Sequence, residues 1–259
     1  YETKKLLQVA ACLGNTFEIS HLSIICEESP YEIYKTILPA LEEGFICPAS
    51  EHKFEDSEDI LSKTFYKNYK FLHDSIQLYT LLLLGDYERK ELNLRAGRKL
   101  FYNLCDGELK KRIFEVTGYF NNAKELVTEE SEKIQLIRLN LRAGKKAKNS
   151  IAYSEALNYL NHCYEYMPHN IWDVYYELAF SLYREFAEIL YLNGHYEEAQ
   201  KLICLALEKS KSSFEQTELY ALLIIQFTMM AKYEEAIFTG KKALSLLGVD
   251  LSLTEIDKV

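Results

Sequence analysis

Glycine and proline are scarce in this chain, ten and four among 259 residues, under half the usual combined share of about 12%. A chain so poor in turn-forming residues builds long elements, which favours helices over strands joined by tight turns. Long apolar runs are also missing. Leu78–Leu84 and Leu219–Ala231, the latter broken by Gln226 and Thr228, fall short of the ~18 residues needed to cross a bilayer. No C-x-x-C pair occurs among Cys12, Cys26, Cys47, Cys105, Cys163 and Cys204, which excludes zinc-ribbon and thioredoxin-type sites. Such a chain, 48% apolar, needs no disulfide framework, and its thiols are expected to be reduced and mostly buried, as in a cytoplasmic protein.

Positive charge is in short supply too. Thirty Lys and Arg stand against 39 Asp and Glu, a net charge of −9, which disfavours phosphate neutralisation and hence nucleic-acid binding. The six histidines form no H-E-x-x-H or other helical metal pair, and adjacent His162 and Cys163 point about 100° apart on a helix. No catalytic residue and no metal site is expected. The phosphate-cradling G-x-x-x-x-G-K-[ST] run is absent, because Gly97-Arg98-Lys99 and Gly144-Lys145-Lys146 lack both the preceding loop and the following hydroxyl. The chain opens on Tyr1 without a signal-peptide pattern and is expected to be a piece of a longer protein.

What is present divides the chain into three stretches. In residues 1–74, Lys4–Leu13 carries Leu6, Leu7, Val9, Ala10 and Leu13 on one helical face before Gly14. Ser20 is placed to cap a helix over His21–Cys26, and Ser29-Pro30 opens a third helix that Gly44 ends. Two short apolar runs, Phe45–Cys47 and Tyr69–Leu72, flank the polar stretch Pro48–Asn68. Three helices and a hairpin with a long tip make a winged-helix pattern. This head holds seven Lys/Arg against 13 Asp/Glu. Its third helix has Lys35 against Glu32, Glu42 and Glu43, and its tip has Glu51, Glu55, Asp56, Glu58 and Asp59 against three lysines, so a DNA-binding role is disfavoured. Residues 75–130 read as connecting helical hairpins, with helices over Tyr87–Leu104 and Glu108–Phe120 and a cap at Thr128, or Ser131, for the next.

Residues 131–259 repeat. Ala152-Tyr153-Ser154-Glu155-Ala156, His195-Tyr196-Glu197-Glu198-Ala199 and Lys232-Tyr233-Glu234-Glu235-Ala236 align, and seven residues after each alanine stands Cys163, Ala206 or Ala243. This resembles the second helix of a tetratricopeptide repeat (TPR), where small residues let paired helices approach closely. Twelve residues before each alanine come Gly144, Ala187 and Ile224; the third departs from the small-residue pattern. Spacings of 43 and 37 exceed the standard period of about 34, so helices or connections are longer than consensus. The expected fold class is therefore all-α for the most part: a winged-helix head with a small β-hairpin, followed by a TPR-like right-handed α-helical solenoid.

Three further segments carry a family resemblance: Leu7-Gln8-Val9-Ala10-Ala11-Cys12-Leu13-Gly14-Asn15-Thr16-Phe17, Leu38-Pro39-Ala40-Leu41-Glu42-Glu43-Gly44-Phe45-Ile46 and Tyr69-Lys70-Phe71-Leu72-His73-Asp74-Ser75-Ile76-Gln77. With Leu139–Ala147, they are similar to the winged-helix and repeat region of STAND-class (AAA-like) signalling ATPases found in large bacterial hybrid serine/threonine kinase–sensor histidine kinase proteins and in nucleotide cyclases. Leu78-Tyr79 depart from the small residues relatives tend to carry there.

The resemblance implies a non-catalytic regulatory and protein-interaction module of a signal-transduction ATPase. ATP or ADP and Mg would be bound only by an upstream domain of the parent, with no cofactor in this segment. Leu72-His73-Asp74 is similar to the Met-His-Asp motif of that family, which implies that His73 senses ADP in the intact parent; alternatively His73 packs at a junction and Asp74 caps a helix. A histidine N–H suits a phosphate oxygen. The repeat alignment puts Arg138, Lys145, Lys148, Arg184, Glu188, Tyr191 and Glu218 on the concave face, a groove for a protein, peptide or other domain of the parent. The rival readings are a solvated face, a plain TPR scaffold docking a protein partner, and a fragment labelled by its parent's kinase or cyclase activity.

Overall fold

The computed structural model describes residues 2–49, 53–54 and 65–249, with backbone alone at 53, 54, 65 and 66. The acidic tip residues Glu51, Glu55, Asp56, Glu58 and Asp59 lie outside the described residues. The chain is mostly α-helical with a small three-stranded sheet, and it divides into two compact units, 1–128 and 129–259. No helix among the described residues is long and apolar enough to cross a membrane.

The first unit begins with α1 (Glu2–Leu13), β1 (Thr16–Glu18), α2 (Ile19–Cys26) and α3 (Pro30–Glu42). Then come β2 (Ile46–Pro48), β3 (Lys53–Phe54), β4 (Phe65–Tyr66) and β5 (Asn68–Phe71). Apolar residues at helical spacing drive the packing: Leu6, Val9 and Ala10 of α1 and Ile33, Ile37 and Ala40 of α3 are buried, each large side chain contributing about 1.5–3 kcal/mol. Ser29 accepts the Glu32 N–H at the start of α3, with Pro30 in the first turn, as its sequence suggests. The antiparallel sheet has the order β1-β5-β2, pairing Phe17 with Tyr69 and Ile46 with Phe71. β3 and β4 pair separately, Lys53 with Tyr66.

Strand β1 is not signalled by the sequence: three residues are too few for period-2 alternation to register, and pairing with β5 creates it. It also corrects the expected cap of α2. The Ile19 N–H donates to the Lys67 carbonyl across the sheet. The helix therefore starts at Ile19 with Glu18 before it, and Ser20 donates to Glu18 Oε2 at 3.2 Å instead of capping.

Four helices complete this unit: α4 (Asp74–Leu82), α5 (Asp86–Asn103), α6 (Asp106–Lys111) and α7 (Ile113–Asn122), followed by a 3-10 turn over Lys124–Leu126. The single helix expected over Glu108–Phe120 is broken at Arg112 (φ −102°, ψ 17°). The Arg112 guanidinium there donates to Glu18, far away in sequence, and to Glu115 Oε2 at 3.3 Å. Buried His21 lies 3.4 Å from Glu115 Oε1, and the Tyr119 hydroxyl lies 3.0 Å from the same oxygen. This network satisfies charges that burial would otherwise penalise, and it fixes α7 against α2 and β1.

The second unit consists of α8 (Glu130–Asn149) and α9 (Tyr153–Tyr166), the short α10 (Ile171–Val174), α11 (Tyr176–Leu192) and α12 (Tyr196–Lys209), and α13 (Ser213–Met229) and α14 (Tyr233–Leu246). α8 begins after Glu129 without a side-chain cap, so neither Thr128 nor Ser131 caps it. Glu130 and Glu132 in its first turn complement the helix dipole instead. The three pairs are stacked helical hairpins, a TPR-like solenoid, and each second helix starts at the repeat tyrosine. Ala156, Ala199 and Cys163, Ala206 are fully buried where paired helices meet. A Cβ on Gly144 would sit 3.1 Å from Leu160.

Each hairpin turns through one left-handed residue: Ile151 (φ 63°), Gly194 (φ 84°) and Ala231 (φ 57°), recurring at the repeat spacing. Glycine adopts this conformation freely; a β-branched residue does so under strain of about 1–2 kcal/mol. The Ile151 side chain is 74% exposed, so little packing offsets that strain. Ile151→Gly is expected to stabilise the protein by about 1 kcal/mol, measured by urea unfolding; a lower midpoint would show that Ile151 is unstrained.

Candidate functional site

The first helices of the three hairpins, α8, α11 and α13, meet through a ladder of charged side chains. Lys148 Nζ donates to Glu185 Oε2 at 2.6 Å and to Glu188 Oε2 at 2.8 Å. Lys145 Nζ donates to Ser181 Oγ at 3.0 Å and lies 3.6 Å from Glu185 Oε1. Arg184 then reaches forward to Glu218 Oε2 at 2.8 Å and sideways to Glu185 Oε1 at 3.3 Å. The run α8–α11–α13 is thus cross-linked by three cations and three carboxylates, and its charges neutralise one another.

The side chain of Glu185, 8% exposed, is the centre of this ladder. Burial pushes its carboxyl pKa up, but the Lys148 hydrogen bond and the charges of Lys148, Lys145 and Arg184 outweigh burial and hold it below the usual carboxylate value. A depressed carboxylate contributes stability that is fully present above its unfolded value, near 4.5, and lost as pH falls through the lower folded value. The unfolding midpoint is therefore expected to hold from pH 7 down to about 5 and to fall below that. Glu185→Gln should shrink the acid loss; an unchanged pH profile would remove Glu185 as a contributor. The Arg184–Glu218 pair, about one-third exposed on each side, is worth under about 1 kcal/mol.

Six of the seven groove residues expected from the alignment thus sit on these helices as members or neighbours of the ladder: Lys145, Lys148, Arg184, Glu188, Tyr191 and Glu218. Tyr191 is only 6% exposed, and burial, then Glu188, raises its hydroxyl pKa. Arg138 of α8 is exposed and has no side-chain partner among the described residues. The sequence reading missed Glu185 and Ser181. The available signal was Glu185 itself, an acid amid Tyr183, Phe186 and Ala187, all at buried positions of α11.

In the first unit, His73 precedes Asp74, the first residue of α4. It is exposed in extended conformation (φ −137°, ψ 144°); its side chain caps nothing and has no partner among the described residues, while its carbonyl accepts the Ile76 N–H at 2.9 Å. Gln77 anchors α4 by donating to the Ala11 carbonyl at 3.0 Å. Beyond it α4 is apolar yet unburied: Leu78, Tyr79, Leu82 and Leu83 are all more than half exposed. Tyr79, Leu82 and Leu83, with Leu7, Ala40, Phe45 and Ile76, line a cleft of about 640 Å³ between α1, α3 and α4.

No family model matches the chain. A hybrid signal transduction histidine kinase G from Dictyostelium discoideum is 23% identical over an alignment spanning 97% of this chain. The chain spans only 9% of that relative. Among solved structures, a STAND protein with a tetratricopeptide repeat sensor from Pyrococcus horikoshii aligns over 95% of this chain and 44% of its own, at 16% identity and a TM-score of 0.39.

Proposed function

We propose that this chain is a non-catalytic regulatory and protein-interaction module of a multidomain signal-transduction ATPase located in the cytoplasm. In this reading residues 1–74 are a winged helix, 75–130 are connecting hairpins and 131–259 are TPR-like repeats that dock a protein segment. The observation that carries the reading is the alignment of α8, α11 and α13, whose polar side chains present one face. The relationship to a signal transduction histidine kinase over nearly the whole chain supports a signalling context, and the resemblance of the head to STAND ATPases supports the ATPase.

The ladder refines what the face would bind. Lys145, Lys148 and Arg184 already hold carboxylates, so an incoming peptide would find them neutralised. Arg138 is the cation of the expected set left to meet an acidic side chain. Arg138→Glu, at an exposed position, is expected to lower retention of a glutamate-rich peptide by the full parent about tenfold, equivalent to about 1.4 kcal/mol. It should leave thermal unfolding unchanged, and unaltered binding would remove the docking role of this face. Reversing Lys148 would be a poorer test, since it would also break a buried pair.

His73 is proposed to contact the terminal phosphate of a nucleotide held by the parent's upstream domain, with no cofactor bound by this chain alone. The open cleft beside α4 suits a body that packs on another domain. Coupling would require the docked partner to favour one nucleotide state over the other. In the full-length parent, His73→Ala is expected to reduce co-purified ADP several-fold, by chromatography of the denatured protein. Undiminished ADP would leave the plain docking scaffold as the surviving reading.

A further inference from the structure

The 22 residues from Lys133 to Ser154 contain six cations, Lys133, Arg138, Arg142, Lys145, Lys146 and Lys148, and no acid. Elsewhere acids prevail, 39 Asp and Glu against 30 Lys and Arg over the whole chain, so α8 is a local reversal of charge. Lys145 and Lys148 find carboxylates on α11. Arg138 and Arg142, at i and i+4 on α8, are both exposed, and neither side chain has a partner among the described residues. The register of the ladder accounts for this. Lys145 meets Ser181 and Lys148 meets Glu185, offsets of 36 and 37. The same offset of 36 one turn earlier sets buried Leu178 opposite Arg142, so α11 offers no carboxylate there.

Like charges one helical turn apart repel, and their Cβ atoms lie about 5–6 Å from each other, close enough for two guanidinium forks to converge on one group. A carboxylate brings two oxygens and a single charge, which satisfy one fork. A phosphate monoester brings three acceptor oxygens and a charge near −2 at pH 7, which match two. Beyond the pair, Lys145, Lys148 and Arg184 are already neutralised. The face therefore has room for one dianion and not for the row of phosphates that a nucleic acid would bring.

We propose that Arg138 and Arg142 together receive a phosphorylated side chain of a partner protein segment that lies along the α8 end of the ladder face. Each guanidinium donates to phosphate oxygens, and the dianion removes the repulsion between the two arginines. The inference rests on the docking role proposed above for this face and names the chemical group that the face selects. Docking would then depend on whether the partner segment is phosphorylated.

The probe is a fluorescently labelled peptide with phosphoserine flanked by alanines, titrated by anisotropy into the whole chain at low ionic strength. The same peptide with glutamate or serine at the centre is titrated beside it. Saturable binding of the phosphopeptide is expected, about tenfold tighter than that of the glutamate peptide, with the serine peptide silent. Arg142→Gln should weaken it about tenfold. Arg142→Lys, which keeps the charge and loses the fork, should weaken it about threefold and leave the glutamate peptide unchanged. Lys201→Gln, at an exposed position of α12, should change nothing, and circular dichroism verifies that each variant is folded. Equal affinity for phosphoserine and glutamate, or phosphopeptide binding indifferent to Arg142→Gln, would overturn the proposal and leave the docking of acidic segments standing. Binding of neither acidic peptide would overturn both. Inorganic phosphate competing with the affinity of the phosphopeptide itself would also overturn the proposal, because the ligand would then be a free anion.

Discussion

Lys148→Met is expected to destabilise the second unit by about 3 kcal/mol, the cost typical of leaving a buried charge without its partner. Lys148 is the closest cation to Glu185, at 2.6 Å. Without it, the buried carboxylate keeps only Lys145 at 3.6 Å and Arg184 at 3.3 Å. Methionine fills nearly the same space as the lysine stem, so packing is preserved and the loss is electrostatic. Glu185→Leu should cost much less, because each cation keeps a partner: Lys148 holds Glu188, Arg184 holds Glu218 and Lys145 holds Ser181. Urea unfolding of the two variants reads this asymmetry. Equal losses would mean that the ladder is a surface decoration, which single substitutions change by only about 0.5 kcal/mol.

Gly144→Leu should have a comparable effect for a different reason. A bare Cβ at residue 144 would already lie 3.1 Å from Leu160 Cδ2 and 3.4 Å from the Ala156 carbonyl. A leucine must force α8 and α9 apart at a cost of about 2–3 kcal/mol. Gly144→Ala should be nearly neutral: the flexible end of Leu160 gives way, and alanine recovers about 1 kcal/mol of helix propensity. The double variant Gly144→Leu/Leu160→Ala should restore much of the loss, because the protein already contains that arrangement. In the third hairpin the first helix carries bulky Ile224 and the second carries Gly240, whose Cβ position lies 3.8 Å from Ile224 Cδ1. A double variant no more stable than Gly144→Leu alone would show that the two positions do not exchange volume. Urea midpoints again decide.

The same swap shows what the sequence could and could not convey. Small residues at Ala156, Ala199 and Ala236 repeat strictly because a helix crossing leaves no room at that point, and so the mostly helical, repeating fold was legible. Ile224 looked like a defect because a one-dimensional pattern marks a position as large or small and cannot see that Gly240 across the hairpin compensates. The hairpin turns were legible in principle, since Gly194 aligns with Ile151 and Ala231, yet only one of the three carries the residue type that announces a left-handed turn. The capping box at Ser212 and Glu215, which opens α13, is likewise written in the residues three apart.

Long-range partners were not legible. β1 exists because β5 pairs with it, and α6 and α7 separate where Arg112 turns to Glu18. The repeat alignment put Lys145, Lys148, Arg184 and Glu218 on the first helices of their hairpins but could not say that they would satisfy one another. Glu185 escaped notice because charge in a helix ordinarily marks the solvent side. At this position tertiary pairing with Lys148 overrides that rule.

A double-mutant cycle across Lys148 and Glu185 tests most directly whether α8, α11 and α13 are interlocked along one face. Lys148→Met, Glu185→Leu and the double variant would be unfolded in urea under identical conditions. A coupling of about 1 kcal/mol or more is expected for contacting members of one charged network. Additivity within about 0.3 kcal/mol would mean that the two residues do not meet, and the aligned face on which the docking function rests would not exist.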